Sequence, residues 1–226
     1  MELFTKLFLF IHISAGFTSI VLFWIPMLSK KGGKLHIKSG KLYVWSMWVV
    51  VITAAVLSVK NVIIGEFDAA IFLGFLSLIT SGSLWYSIAI LKMKKGRTDK
   101  YKKKHFVYHL IVVISATLMI VYGILSGSNG SILMFIFGGL GLTSTPHLWR
   151  YLKKSESKLT WIQEHLVGMI TTGIAAYTAF LVFGGQRMFG HIFTGHYAII
   201  LWTAPGVLGT IANYYFSKKY ASKTAT

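Results

Sequence analysis

The chain has 226 residues, of which 54% are hydrophobic and only 13% charged, and its mean hydropathy is +0.64. A water-soluble domain has roughly a quarter of its residues charged, so this composition excludes an ordinary soluble enzyme and a disordered chain and indicates a bilayer as solvent. The absence of cysteine excludes a disulfide framework, a thiolate-bound cluster and a zinc ribbon. The formal charge of +17 would suggest a nucleic-acid partner if the basic residues formed one patch, so their distribution along the chain has to be examined.

Long apolar stretches alternate with short polar connections along the whole chain. About 20 helical residues cross the ~30 Å hydrocarbon core of a bilayer, so these stretches predict an all-α, polytopic membrane helix bundle that forms one domain over residues 1–226. The first stretch begins with Glu2 and lacks the small-residue cleavage site of a signal peptide, which indicates that it is a retained membrane anchor. In chain order the seven predicted transmembrane helices are Leu3 to Leu28, Leu42 to Ile64, Ala69 to Leu91, His105 to Leu125, Ile132 to Trp149, Trp161 to Phe183 and Ile192 to Phe216.

The basic residues are concentrated in alternate connections. Of the 23 Lys and Arg residues, five lie in residues 29–41, eight in 92–104, four in 150–158 and three in the tail from residue 217. The positive-inside rule then places the N-terminus outside and the C-terminus in the cytoplasm. The positive charge is explained by topology, so no nucleic-acid partner is expected, and clusters such as residues 102–104 predict contact with anionic lipid head groups.

Histidine is the informative residue type. Ionisable or metal-binding side chains inside a membrane are costly, so each histidine is a candidate functional residue. On the predicted topology His36, His105, His109, His147 and His165 share the cytoplasmic interface.

His105 and His109 have the i,i+4 spacing that places two imidazoles on one helix face, where they can bind one metal ion. His165 lies, like this pair, near a predicted helix N-terminus, where the macrodipole favours neutral imidazole. His147 is predicted near the C-terminal end of the fifth helix, where the dipole has the opposite effect, and is therefore ranked below the others as a ligand.

These residues predict a membrane metalloprotein. The favoured form has a non-haem zinc or iron ion, and it acts as a hydrolase or oxidoreductase on a lipid or quinone, with Glu164 as candidate acid or base. Glu164 has a structural alternative, because an acidic residue in a first helical turn complements the dipole. The predicted metal ligands are His36, His105, His109 and His165.

Two alternatives stay open. A b-type haem with axial His109 and His165 would make the protein an electron carrier, and His12 with His196 forms a second candidate ligand pair. His12 can instead make a hydrogen bond across a helix interface. In the second alternative the protein is a small transporter or membrane partner whose histidines titrate or tune packing.

Two segments resemble a known family. The stretch His12-Ile13-Ser14-Ala15-Gly16, followed by Lys31-Gly32 and Leu35 to Tyr43, resembles the pattern HIxxG … KGxxHRxxGrxY, and the stretch Trp161 to Phe180, with WIQEHLVGM followed by IAAYTAF, resembles the later part of the same proteins. That pattern is typical of bacterial predicted multispan membrane proteins catalogued as a domain of unknown function. Here Ile37 replaces the arginine that follows the histidine. The resemblance implies a multispan fold in a bacterial inner (plasma) membrane and directs attention to His12, His36 and His165, but it implies no activity.

Overall fold

The computed structural model describes residues 2–128, 130–155, 157, 159–185, 188 and 197–221. Within these residues the chain forms helices and short connections and contains no strand, so the predicted all-α fold is confirmed. A 3-10 turn, Ile90–Lys92, extends the third helix, and a π-helical turn, Phe180–Gly184, extends the seventh. The helices are α1 (Glu2–Leu28), α2 (Lys34–Ile63), α3 (Phe67–Ala89), α4 (Asp99–Ser126), α5 (Ser131–Leu142), α6 (Thr145–Leu152), α7 (Trp161–Ala179) and α8 (Tyr197–Ala221).

Six helical stretches are long and apolar enough to cross a membrane, which is the property of an integral membrane protein. Each coincides with one of the first six predicted spans. The seventh predicted span, Ile192 to Phe216, begins outside the described residues, and its described part lies in α8. The orientation of the termini stays a prediction. The six stretches are Glu2–Leu28, Lys34–Ile63, Phe67–Lys92, Asp99–Ser126, Ser131–Leu152 and Trp161–Gly184.

The exposed helix faces carry many large apolar side chains, and the buried positions include small and hydroxyl-bearing residues beside large ones such as Tyr43 and Met47. Trp45, Phe10 and Ile124 are 71%, 70% and 66% exposed, which is costly in water but matches a lipid environment. Ser87 and Thr172, in contrast, are completely buried. Small and hydroxyl-bearing residues let transmembrane helices approach closely without a hydrophobic driving force between them.

The described chain forms two compact units. The first contains α1, α2 as far as Val50, α7 from Ile162, and α8. Inside this unit the buried Tyr43 hydroxyl lies 2.8 Å from the Thr172 hydroxyl, which joins α2 to α7. The Tyr177 hydroxyl accepts a hydrogen bond from Trp24 Nε1 and joins α7 to α1.

The second unit runs from Val51 to Trp161 and contains the rest of α2 with α3 to α6. Within this unit α4 and α5 pack closely against each other. A Cβ atom built on Gly141 would lie 2.7 Å from the Ala116 Cβ and 2.6 Å from the Phe75 ring, and one on Gly138 would lie 2.5 Å from Ile120 Cγ1. Only glycine therefore permits this spacing between α4 and α5.

We predict that Gly141→Ala lowers the free energy of unfolding by about 1–3 kcal/mol, because the new methyl group has no space between Ala116 and Phe75. Thermal unfolding in detergent, followed by circular dichroism, measures the loss. The matched control is Gly139→Ala on the same helix, where a Cβ meets nothing within 4 Å. Equal stability of the two variants would show that α4 and α5 do not need a glycine at this contact.

Candidate metal site

The helix that carries His105 and His109 begins earlier than predicted. Thr98 caps α4, since its hydroxyl accepts a hydrogen bond from the Tyr101 backbone N–H at 3.3 Å, and Asp99 in the first turn complements the helix dipole. The predicted start at His105 is therefore too late. Since α4 begins at Asp99, His105 lies in its second turn and His109 in its third.

The i,i+4 pair faces one side of α4, as the spacing predicts. The Nε2 atoms of His105 and His109 are 3.0 Å apart, and the ring centroids are 4.2 Å apart. Two nitrogens bound to one tetrahedral zinc ion at 2.0–2.1 Å lie roughly 3.3 Å apart. The two rings are therefore close to the spacing that a shared metal ion requires.

His147 does not lie at the end of a continuous fifth helix. Within the span Ser131–Leu152 the chain forms two helices, because α5 ends at Leu142 and α6 begins at Thr145 with Pro146 in its first turn. Proline lacks the N–H that helix continuation needs but fits a first turn well. His147 thus occupies the N-terminal turn of α6, and the prediction of a C-terminal position was wrong.

The break brings a third imidazole onto the pair. The His147 ring stacks on the His109 ring with centroids 4.2 Å apart and an interplanar angle of 3°, and its centroid is 5.4 Å from that of His105. One ring nitrogen from each residue lies within 4.8 Å of the other two, and all three side chains are half-buried. We call His105, His109 and His147 the histidine triad; it can hold a metal ion.

One nitrogen of the triad lacks a hydrogen-bond partner. Nδ1 of His109 is buried and makes no hydrogen bond to the described residues. A buried polar atom left unpaired costs about 1–3 kcal/mol, so such atoms in native proteins usually have a partner. If a metal ion binds His109 through Nε2, Nδ1 carries the ring proton, and a ligand on the metal would have to accept a hydrogen bond from it.

Aromatic side chains surround the pair on α4. The Tyr86 ring centroid is 4.6 Å from that of His105, and the Tyr108 ring centroid is 5.1 Å from that of His109. Tyr108 occupies the space above Gly82, where any Cβ atom would collide with its ring, and its hydroxyl donates to the Ile79 carbonyl at 3.2 Å. Tyr86, from α3, and Tyr108, from α4 itself, therefore limit the rotation of the histidine rings.

The other candidate residues on described helices belong to the first unit. His36 Nδ1 lies 2.9 Å from the Pro26 carbonyl oxygen, so this nitrogen already has a hydrogen bond at the end of α1. Glu164 is 2% exposed in the first turn of α7, and His165 follows it half-buried. His12 is hydrogen-bonded to the backbone of Val50, as expected for the helix-interface alternative.

The structure therefore brings together two of the four predicted ligands and adds His147. The metal-binding role of His36 and His165 and the catalytic role of Glu164 stay predictions, and His196 lies outside the described residues. The missed ligand had a sequence signal. The run Thr143-Ser144-Thr145-Pro146 is typical of a helix start, which would have placed His147 in a first turn.

No protein-family model, no curated protein and no solved structure matches the chain. The resemblance to the bacterial multispan membrane family stays a prediction.

We predict that Phe106→Ala weakens zinc binding without removing a ligand. The Phe106 ring stacks on Tyr151 with centroids 4.4 Å apart, and this stack holds α6, with His147, against α4. An aromatic pair contributes about 0.5–1.5 kcal/mol, so the dissociation constant should rise roughly two- to tenfold. Zinc titration of the purified protein against a fluorescent chelator measures it. Val107→Ala, at an exposed neighbouring position, is the control, and an unchanged constant in Phe106→Ala would show that the stack does not position His147.

Proposed function

We propose that the protein is an integral membrane metalloprotein whose histidine triad binds one non-haem metal ion. The supporting observation is the convergence of three ring nitrogens within 4.8 Å from two helices. Zinc is favoured over iron, because three imidazoles with an open fourth position form a common catalytic zinc site, whereas non-haem iron sites usually include a carboxylate. Among the described residues, no carboxylate belongs to the group that includes the triad.

The geometry favours this ion over a b-type haem. A haem iron with two axial histidines needs one on each side of the porphyrin plane. His105 and His109 project from adjacent turns of one helix, and His109 and His147 are stacked face to face. Neither pair can bind an iron from opposite sides. A metal ion in the triad would also occupy His109, which the haem alternative needs as a partner for His165.

An open position on the metal supports hydrolytic chemistry. Zinc lowers the pKa of a bound water to about 7 and polarises a carbonyl or phosphoryl oxygen. The substrate class follows from the surroundings: beside the triad α4 exposes Val107, Leu110 and Ile111, which face lipid in a membrane-spanning helix. We propose a zinc-dependent membrane hydrolase acting on a lipid; an iron-dependent oxidoreductase acting on a quinone is the second form.

The proposed location is the cytoplasmic side of a bacterial inner membrane. Residues 92–104, which contain eight Lys and Arg residues, include the first six residues of α4 and end immediately before His105. The positive-inside rule supports a cytoplasmic position for such a segment. Lys103 and Lys104 are exposed there, where anionic lipid head groups can reach them.

The first test is elemental analysis with a visible absorption spectrum of detergent-purified protein. We expect about one zinc or iron per chain and no Soret band. His109→Ala and His147→Ala should each abolish stoichiometric metal, because two remaining imidazoles bind the ion too weakly to survive purification. Lys104→Ala, which changes an exposed side chain one position before His105, is the control and should keep its metal. A Soret band that sharpens on reduction would contradict the proposal in favour of haem.

Two further variants separate the triad from the ligand set predicted from sequence. If the triad alone binds the metal, His36→Ala and His165→Ala keep it and His147→Ala loses it. The reverse pattern would assign the site to His36, His105, His109 and His165. Absence of metal from the wild-type protein, even after reconstitution with zinc and iron, would overturn the proposal and favour the transporter or partner alternative.

Zinc should also stabilise the folded protein. A ligand that binds only the folded state at a hundred times its dissociation constant adds about 2.7 kcal/mol, which raises the melting temperature. We expect this rise for the wild-type protein and for Lys104→Ala, and no rise for His105→Ala. Differential scanning fluorimetry with added zinc or a chelator measures it. A rise of equal size in His105→Ala would show that zinc acts at another place.

A further inference from the structure

Arg150 lies one turn after His147 on α6 and contacts the triad directly. Its Nη2 donates to His147 Nδ1 at 3.3 Å, and its Nε donates to the Pro146 carbonyl at 3.3 Å. The side chain is half-buried. Among the described residues, no ion pair joins Arg150 to a carboxylate.

When His147 binds a metal ion, its Nδ1 can no longer accept the hydrogen bond from Arg150. A neutral imidazole has one nitrogen that donates and one that accepts. If His147 binds the metal through Nε2, the ring proton moves to Nδ1, and if it binds through Nδ1, the lone pair there is used. Arg150 can only donate hydrogen bonds. In either case its Nη2 group loses His147 as a partner and becomes available beside the metal.

Positive charges lie close to the triad. Arg97 and Arg150 both lie close enough to His105 for an electrostatic interaction, and the triad group includes no carboxylate. Lys103 and Lys104 precede the triad on α4. Three neutral imidazoles leave both charges of a divalent ion uncompensated, so an anionic ligand is favoured at the open coordination position.

We infer that Arg150 and the metal of the histidine triad together bind a phosphate oxyanion, one oxygen binding the metal and another accepting from the guanidinium. This inference rests on the proposed function and names its substrate class. Guanidinium groups match the planar spread of phosphate oxygens, and a charged acceptor makes a stronger hydrogen bond than the neutral imidazole it replaces. The phosphate can belong to a lipid phosphomonoester or to inorganic phosphate, which share this chemistry.

Cobalt substitution tests the inference, because the visible bands of a Co²⁺ ion bound to nitrogen ligands change when its remaining position exchanges a ligand. The full-length protein in detergent is loaded with Co²⁺ and titrated separately with dihexanoyl phosphatidic acid, dihexanoyl phosphatidylcholine and inorganic phosphate. We expect a saturable spectral change with phosphatidic acid and none with phosphatidylcholine, whose phosphate carries a choline. A change with phosphatidic acid alone identifies a lipid source, and an equal or larger change with inorganic phosphate identifies the free anion.

Arg150→Ala should still bind Co²⁺ but require about tenfold more phosphate ligand for the same change, the loss expected for one charge-assisted hydrogen bond. Arg150→Gln, which keeps an N–H donor but no charge, gives the same test if Arg150→Ala folds poorly. Lys153→Ala is the matched control: Lys153 lies over the Trp149 ring, 4.6 Å from its centroid, and its removal should not alter the titration.

The outcomes are distinct for the two proposals. No Co²⁺ in the wild-type protein overturns the proposed function itself. Bound Co²⁺ that none of the phosphate compounds affects overturns only the inference, as does equal weakening in Arg150→Ala and Lys153→Ala, which would indicate a diffuse effect of charge. Loss of Co²⁺ from both Arg150→Ala and Arg150→Gln would assign Arg150 to holding His147 and would also overturn its role as an anion ligand.

Discussion

The close contact between α4 and α5 is the constraint on which the histidine triad depends. Lipid is as apolar as the helix surfaces, so these helices gain little from hiding side chains and must associate through close packing. Gly138 and Gly141 permit this by leaving Ile120, Ala116 and Phe75 in direct contact with the α5 backbone. Since α6 begins only three residues after α5 ends, the position of α5 decides where His147 can lie.

The break between α5 and α6, just before Pro146, determines the position of His147. A continuous helix would have carried His147 further along the axis of α5, at a helix C-terminus. The restart redirects the chain, so that His147 stacks on His109 and its ring lies in a first helical turn. The dipole of that turn favours the neutral form of imidazole, which is the form that binds a metal. The same short helix carries Arg150 one turn later, which is why its guanidinium group lies beside the His147 ring.

The spans and the His105–His109 pair could be predicted from sequence because each depends on a short-range rule. An apolar stretch of bilayer length has few alternatives to a helix in lipid, and two residues four positions apart must share a helix face. The start of α4 was placed too late because the apolar pattern begins after the capped polar turns at Thr98 and Asp99. The role of the glycines on α5 could not be predicted one by one: a Cβ on Gly138 or Gly141 would collide with a neighbouring helix, whereas one on Gly139 would meet nothing within 4 Å.

His147 could not be ranked correctly as a candidate ligand from hydropathy, because Ser131–Leu152 is, taken as a whole, long and apolar enough for one membrane span. The local signal was Pro146, and its meaning depended on reading it as a first-turn residue rather than as a tolerated proline in a transmembrane helix. Depth in the membrane also does not determine which helices are neighbours. His36 and His165 were placed at the same level as His105, but they belong to the other compact unit of the chain.

Electrostatic balance connects the triad with its surroundings. Three imidazoles and nearby arginines are compatible with each other as long as the imidazoles are neutral, which makes the triad a set of ligands rather than a set of charges. A divalent ion would add positive charge to a region that already contains Arg97 and Arg150. Such an ion is stable there only if an anion accompanies it, because a half-buried charge without a partner is expensive. Metal and oxyanion are therefore expected to bind the triad together, each raising the affinity for the other, and at a membrane surface the most abundant anionic oxygens belong to lipid phosphates.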